Sequence, residues 1–379
     1  MPTQNNATAK SSTTAAAADE RLTLTVGGKT HSDWTRVSVT ADFLTPAGQW
    51  QLELGINGAS LPAEVCEGAR AVLSAGRDVL MTGLIDDINH AVLRGQHILS
   101  LTGRDEAAVL VDCSAPIFTE QKMTLQEVIA RIVRPLGISK ISIRADSSTA
   151  PQKFAIEPGD TAWSALMKVA VVSGLWPWIA PDGTLIIGGP DYSATPVDSL
   201  VMNRDGTGNL LDLTKHTSIA GRYSEVTVLT QGHATSERNG VRNHKGTIKD
   251  SGFTLYRPHI QVMGDTDTDE EATTRARKLL SDSRLKALTI TAVVRGVRTT
   301  GGTAWMPGQR VAVKSAIHNI DAIYFIMGRE VRGGRGAPLT TTLTLKEDGI
   351  WTPDAYPKSR HKKKGKQQVP TYHSWEEIP

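Results

Sequence analysis

Four places in the chain carry residue types that could do chemistry. Gly28-Lys29-Thr30 has the ending of a phosphate-cradling loop. Such a loop wraps phosphate in backbone amides and needs a glycine five residues before its last one. Thr23 occupies that place, and a strand-like stretch follows where a helix should begin. Asp265, Asp267 and Asp269 copy the start of a calcium loop, whose sixth and twelfth positions require Gly and Glu. Those positions hold Glu270 and Ala276, so a helix N-terminus capped by Asp and Thr is the better reading. Asp86 and Asp87 are neighbours in a strand-like run; they face opposite sides and cannot by themselves form an acid–base pair. The histidines form no H-E-x-x-H, and no G-x-S-x-G elbow presents a serine nucleophile. Cys66 and Cys113 have no C-x-x-C partner, which excludes a cysteine-built zinc site and a disulfide framework. The expectation is no catalytic residue, no cofactor and no metal.

Two further groups are candidates for binding rather than catalysis. Trp163, Trp176 and Trp178 flank one segment and read either as core or as a glycan- or partner-binding surface. The formal net charge of +3 is concentrated in the tail. There Lys358, Arg360, Lys362, Lys363, Lys364 and Lys366 stand against Glu376 and Glu377, which leaves the body close to neutral. Lys362, Lys363 and Lys364 read as a solvated flexible end, or as a salt-dependent contact with DNA or an acidic surface.

The elements that would position these residues are mostly strands. A chain of 379 residues implies two to four domains, and 34 glycines suit a turn-rich β protein. The Ala/Ser/Thr/Asn-rich residues 1–19 read as a disordered arm with neither the basic n-region nor the apolar h-region of a signal peptide. No apolar run reaches the ~20 residues that cross a bilayer. Residues 20–110 alternate apolar and polar side chains between glycine-bearing turns, as in LTLTV, TRVSVTAD and QHILSLTG, and predict a first antiparallel β-barrel-like domain. Residues 111–205 read as one or two small α/β modules. One helix opens with the capping box Thr124-Leu125-Gln126-Glu127, another runs through Trp163, Leu166, Met167 and Ala170. Residues 206–350 predict a second β-barrel-like domain with a long helix at 269–288, acidic at its start and basic near its end. Residues 351–379 form the basic tail. The fold class is α+β, mainly β.

One pattern recurs. CEGARAVL (Cys66–Leu73) and MPGQRVAV (Met306–Val313) each place Arg two residues after Gly, ahead of an apolar run. Each is followed by an apolar strand with an internal glycine (Gly83, Gly328), a turn, an alternating strand and an acidic end (Asp105, Asp348). This predicts two related domains.

The order of these segments resembles the Mu-type baseplate hub proteins of contractile phage tails. LTLTVGGKTHSDWTRVSVT, TLQEVIARIV with PLGI, KGTIKDSGFTLYRPHIQV, ATTRARKLLSDSRL and TAWMPGQRVAV carry the likeness, from about Arg21 to Trp351. What the resemblance implies is a structural protein of the virion's tail baseplate, assembled in the host cytoplasm. It implies a homotrimer whose two barrels per chain make a pseudo-sixfold ring between the hexameric tail tube protein and the trimeric central spike protein. Other baseplate components would be further partners, with no membrane anchor. The alternatives are a cell-wall glycan hydrolase, disfavoured by the absence of an inserted domain with paired acids, and a glycan-binding tail component using the tryptophans.

Overall fold

Alternation of buried and exposed side chains turns most of this chain into strand. A computed structural model describes residues 21–55, 62–144, 152–156, 158–172, 174–231, 243–263 and 268–352. The N-terminal arm, Asp265, Asp267 and the tail lysines Lys362, Lys363 and Lys364 lie outside the described residues. The fold is mainly β: a 13-stranded sheet plus smaller sheets that carry the helices.

The first unit contains β1 (Leu22–Val26), β2 (Lys29–His31), β3 (Arg36–Asp42), β4 (Gln49–Gly55), β5 (Arg70–Ala75), β6 (Asp78–Leu93) and β7 (Gln96–Asp105). Their lateral order is β3-β4-β7-β6-β5-β1-β2, antiparallel throughout. One side chain in two points inward: Leu22, Leu24, Val37, Val39, Trp50, Leu52, Leu73, Leu99 and Leu101 gather into one buried cluster. The other face is polar, through Ser38, Thr40, Gln49, Gln51 and Thr102.

A compact α/β module follows. It comprises α1 (Ala108–Asp112), β8 (Thr119–Met123), α2 (Leu125–Val133), β9 (Ile141–Ile143), β10 (Gln152–Ala155), α3 (Ala162–Val172), β11 (Trp176–Ile179) and β12 (Leu185–Gly188). The capping box forms as the sequence predicts: Glu127 N–H donates to Thr124 Oγ1 at 3.3 Å, and Thr124 N–H donates to Glu127 Oε2 at 2.8 Å. Val128, Ile129 and Ile132 of α2 meet Ala165, Leu166 and Val169 of α3 in a single core with Leu185 and Ile187, so these elements make one module.

The second unit opens with β13 (Ser199–Met202) and β14 (Leu210–Thr217). Next come β15 (Glu225–Gln231), β16 (Asn243–Lys249), β17 (Pro258–Met263) and α4 (Asp269–Ala287). The unit closes with β18 (Leu288–Arg295), β19 (Arg310–Ser315), β20 (Ile320–Gly334) and β21 (Ala337–Glu347). The stretch GRYSEVTVLTQG does not join this unit's sheet. β15, β16 and β17 form their own three-stranded sheet, with Val226 and Val228 packed under Ala272, Ala276 and Leu280 of α4. This small layer is inserted between β14 and β18.

The expectation of two separate barrels needs correction in two respects. Neither unit closes among the described residues: β1 and β3 do not pair, and β13 meets only the residues just ahead of β14, through the Met202–Gly208 bridge. Nor are the units separate sheets. β3 pairs antiparallel with the far half of β20, from Asp42–Gly328 to Val37–Gly333, so both belong to one sheet. Alternation along a strand specifies which face is buried, but not whether an edge meets its own sheet or another.

Candidate assembly interface

The second unit has the lateral order β14-β18-β21-β20-β19-β13. With each unit's six long strands numbered along the chain, both orders read second-third-sixth-fifth-fourth-first. The units differ in one direction: β1 runs antiparallel to β5, whereas β13 runs parallel to β19. An order this far from sequential, occurring twice in one chain, makes the units structural repeats.

Local geometry repeats at the same level. Gly68 and Gly308 both have positive φ, +77° and +92°, as the turn before β5 and β19 requires. Gly68 N–H donates to the Ile85 carbonyl and Ile85 N–H returns to Ala69. Gly308 and Ile326 form the same pair of bonds with Gln309 as the second acceptor. The Arg that follows each glycine is tied to the acid just beyond the sixth strand: Arg70 to Glu106 at 2.8 Å, Arg310 to Asp348 at 2.6 Å. The fifth strand of each unit then bulges one residue after that isoleucine, at Asp86 and at Met327. The sequence therefore found the right device at 66–73 and 306–313. It paired the wrong glycines, however: Gly83 lies opposite Ala71, and its counterpart opposite Val311 is Tyr324.

The joint between units is built from side chains as well as the ladder. Ser38 Oγ donates to Glu330 Oε1 at 3.0 Å on the polar face. Val331 of β20 is buried in the first unit's core beside Val37 and Val39. Burying a valine is worth about 1.5–3 kcal/mol, which favours a docked joint. Arg329, 2% exposed, donates from Nη1 to the Trp305 carbonyl at 2.6 Å and from Nη2 to the Leu80 carbonyl at 2.7 Å. Burial lowers its guanidinium to about 10. Arg298 clasps Asp78 at 2.6 Å, and Arg335 clasps Asp33 at 2.6 Å beside a backbone bond to Trp34.

The candidate chemistry of the sequence dissolves into structure. Gly28 and Lys29 sit at the β1–β2 turn, where Lys29 reaches Glu64 at 2.8 Å. Asp86 occupies the bulge, accepting from Nε and Nη2 of Arg104 at 2.6 and 3.2 Å, while Asp87 accepts from Thr102 at 3.3 Å. Arg104 also grips Asp112 of α1, and Asp86 and Arg104 line a polar recess of about 290 Å³ on the sheet. Thr268 caps α4, its side chain accepting from Glu271 N–H at 3.1 Å. Asp269 accepts from Lys245 N–H, and its carboxyl is held below the usual range by that bond first and by His244 second. Among the described residues, no group of three His, Cys, Asp or Glu side chains gathers as a metal site.

Trp176 and Trp178 are not an open aromatic platform. They pack with Phe43, Phe325, Tyr192 and Trp351, and Trp176 Nε1 donates to the Phe43 carbonyl at 2.7 Å. This cluster locks the α/β module against both units. Trp163 packs on the module's own core.

Four family models match successive parts of the chain. They are "Mu phage baseplate assembly protein GpP-like, N-terminal" over residues 21–105 and "Baseplate hub protein gp44-like, second domain" over 107–189. "Tail protein NMB1110-like, third domain" matches 222–280, and "Tail protein, C-terminal domain" matches 282–350. The chain is similar to the baseplate hub protein gp44 of Escherichia phage Mu, 25% identical over 319 residues, covering 81% of this chain and 82% of that protein. The crystal structure of the tail protein from Neisseria meningitidis MC58 is 38% identical, with a TM-score of 0.76 over 89% of this chain and 99% of that one. The 43 kDa tail protein of prophage MuSo2 from Shewanella oneidensis shares the fold, with a TM-score of 0.77 at 24% identity over 86% and 98% of the two chains.

Proposed function

The chain belongs to the Mu-type baseplate hub family of contractile tails, and from that premise we propose that three copies close a pseudo-sixfold ring between a hexameric tail tube and a trimeric central spike. It is a structural component of the virion's tail baseplate and not an enzyme. The observation that carries the ring is the repeated strand order, with its repeated turn, ion pair and bulge. A threefold assembly meets a sixfold tube without strain only if each subunit offers two similar edges, spaced as neighbours. Two structural repeats in one chain supply them.

In this reading, the strands from Leu22 to Asp105 and from Ser199 to Glu347 make the two ring units, and residues 108–188 are a peripheral module joined to them through the tryptophan cluster. The sheet's polar face faces the channel. It is rich in hydroxyls and amides across both units, with Ser38, Thr40, Gln49, Gln51 and Thr102 in the first and Thr289, Thr291, Thr342 and Thr344 in the second. The charges on this face are paired with one another, as in Arg104–Asp86 and Arg36–Glu53, so the hydrated lining offers a passing polymer little net charge to stick to. Lys362, Lys363 and Lys364 would contact an acidic partner surface or DNA through screened electrostatics.

The test is native mass spectrometry and electron-microscopic averaging of the purified chain, alone and with its spike and tube proteins. The expected species is three chains in a ring of six similar units at low resolution. Persistence of the monomer in all mixtures would overturn the proposal.

A further inference from the structure

The ladder between β3 and β20 joins two edges that exist elsewhere in the chain without partners. Because the units are repeats, every strand has a counterpart, and registers carry the correspondence residue by residue. β3 pairs with β4 as β14 pairs with β18, which places Val37 with Leu213, Val39 with Lys215 and Thr40 with His216. β20 and β6 correspond through their shared bulge, which places Glu330 with Asn89, Val331 with His90 and Gly333 with Val92.

In the existing joint the near half of β20 pairs with β19, and its far half, Gly328–Gly333, accepts β3. β6 is built in the same way. Its near half pairs with β5 up to Leu84, and among the described residues its far half, Asp87–Leu93, has no strand on that side. β14 is the matching half: it pairs with β18 on one side only, and the bridge to β13 lies ahead of it at Gly208, away from the Leu213–Thr217 end. These open edges leave large apolar side chains in water: Val92 is 64% exposed, Leu93 53%, Leu211 50% and Ile219 50%. At the occupied joint, by contrast, Val331 and Val39 are buried.

We propose that the far half of β6 in one copy pairs antiparallel with β14 of the next, repeating between chains the β3–β20 ladder found within each chain. The occupant is thus a second copy of this chain, argued from the repeat of an interface already present. The register transfers directly: Asn89 opposite His216 of the next copy, His90 opposite Lys215, Ala91 opposite Thr214 and Val92 opposite Leu213. Val92 then covers Leu213 on the core side, as the far half of β20 covers the first unit. Asn89 and Thr214 fall on the polar face, where Glu330 and Ser38 bond in the existing joint. Ile219 N–H faces the Asp86 carbonyl, as Phe43 N–H donates to Met327 at 3.0 Å. The contact is head to tail, so it closes only as a ring. Alternating it with the internal ladder around three copies gives six equivalent joints. The inference rests on the ring reading and assigns its inter-subunit strands.

Cross-linking tests it. Opposed Cα atoms in an antiparallel pair lie about 4.5–5.5 Å apart, within disulfide reach. In a Cys66→Ser, Cys113→Ser background, Ala91→Cys with Thr214→Cys on one chain can bridge only between copies. Mild oxidation of the assembled protein is expected to yield covalent dimers and trimers and nothing larger, because a closed ring ends at three. Ala91→Cys with His216→Cys, two residues out of register on the same face, is expected to bridge at least tenfold more slowly. Val92→Asp is expected to weaken association at least tenfold while leaving the monomer's melting temperature unchanged. Trimers that form without the Ala91–Thr214 cross-link, or with both pairs bridging alike, would overturn the strand assignment and leave the ring intact. Absence of any trimer, with spike and tube proteins present, would overturn the ring itself and this joint with it.

Discussion

Arg329 of the second unit donates through Nη2 to the carbonyl oxygen of Leu80 in the first, 2.7 Å away and 249 residues earlier in the chain. Its Nη1 holds the Trp305 carbonyl, and Nε, buried, has no partner. A charge with no carboxylate beside it is held here by two backbone oxygens. Arg329→Met would keep the volume and orphan both acceptors, at roughly 1–3 kcal/mol each, partly offset by relief of the buried charge. A net loss of about 2 kcal/mol is expected in the urea unfolding free energy, with Arg329→Lys between the two. Unchanged stability would show the seam to be held by the ladder alone.

Asp105 gives a pH signature. Burial raises its carboxyl to about 7, against amide bonds from Gly48 at 2.7 Å and Ala107 at 2.9 Å that lower it. In the unfolded chain the group titrates near 4. Between those values the folded state keeps a proton that the unfolded state releases, so this stabilisation is full below about pH 4 and is lost as pH rises through 7. The slope is at most about 1.4 kcal/mol per pH unit for one group. Unfolding midpoints from pH 5 to 8 are expected to decline more steeply in the parent than in Asp105→Asn. Equal slopes in the two proteins would reject the assignment.

Gly83 allows close approach of β6 and β7. A Cβ there would stand 1.9 Å from the Arg104 carbonyl oxygen and 2.7 Å from the Asp105 Cα. Backbone on both strands would have to move, so Gly83→Ala is expected to cost more than about 3 kcal/mol or abolish soluble expression. Gly95→Ala, whose Cβ meets open space at the β6–β7 turn, is expected to cost about 1 kcal/mol through its positive φ. Soluble yield and denaturation midpoints compare the two directly.

The two equivalent arginines should differ in consequence. Arg70 holds Glu106 from a side chain that is 60% exposed, and an exposed pair is worth about 0–1 kcal/mol. Arg310 is 13% exposed, grips both oxygens of Asp348, and also donates to the Ala194 carbonyl at 2.6 Å. Arg310→Ala is expected to lower the melting temperature by several degrees more than Arg70→Ala. Equal losses would mean that burial does not distinguish these sites.

What could be read from the chain was what local chemistry decides. The capping box at Thr124 and Glu127, the cap of α4 and the Gly-x-Arg turn before β5 and β19 all follow from residues within one turn of each other. The repeat was legible for that reason. Its register was not, because the bulges at Asp86 and Met327 shift the pairing by one residue and carry no fixed residue type. The joint between β3 and β20 was invisible because alternation specifies a face and not a partner. The layer of β15, β16, β17 and α4 was missed because its strands read like their neighbours. Trp176 and Trp178 left two readings open until Phe43, Phe325 and Trp351, distant in the chain, closed around them.

Ser38 and Glu330, bonded across the seam, are 292 residues apart. At translation speeds of about 5–20 residues per second, roughly 15–60 s separate their emergence from the ribosome. Throughout that interval the nascent N-terminal sheet has a bare margin at β3 and a gap where Val331 will sit. Half-made chains on one message are thus exposed to pairing with one another, and a co-translational chaperone that shields sheet margins should raise the yield of this protein more than that of a hub whose halves dock within a short stretch of chain.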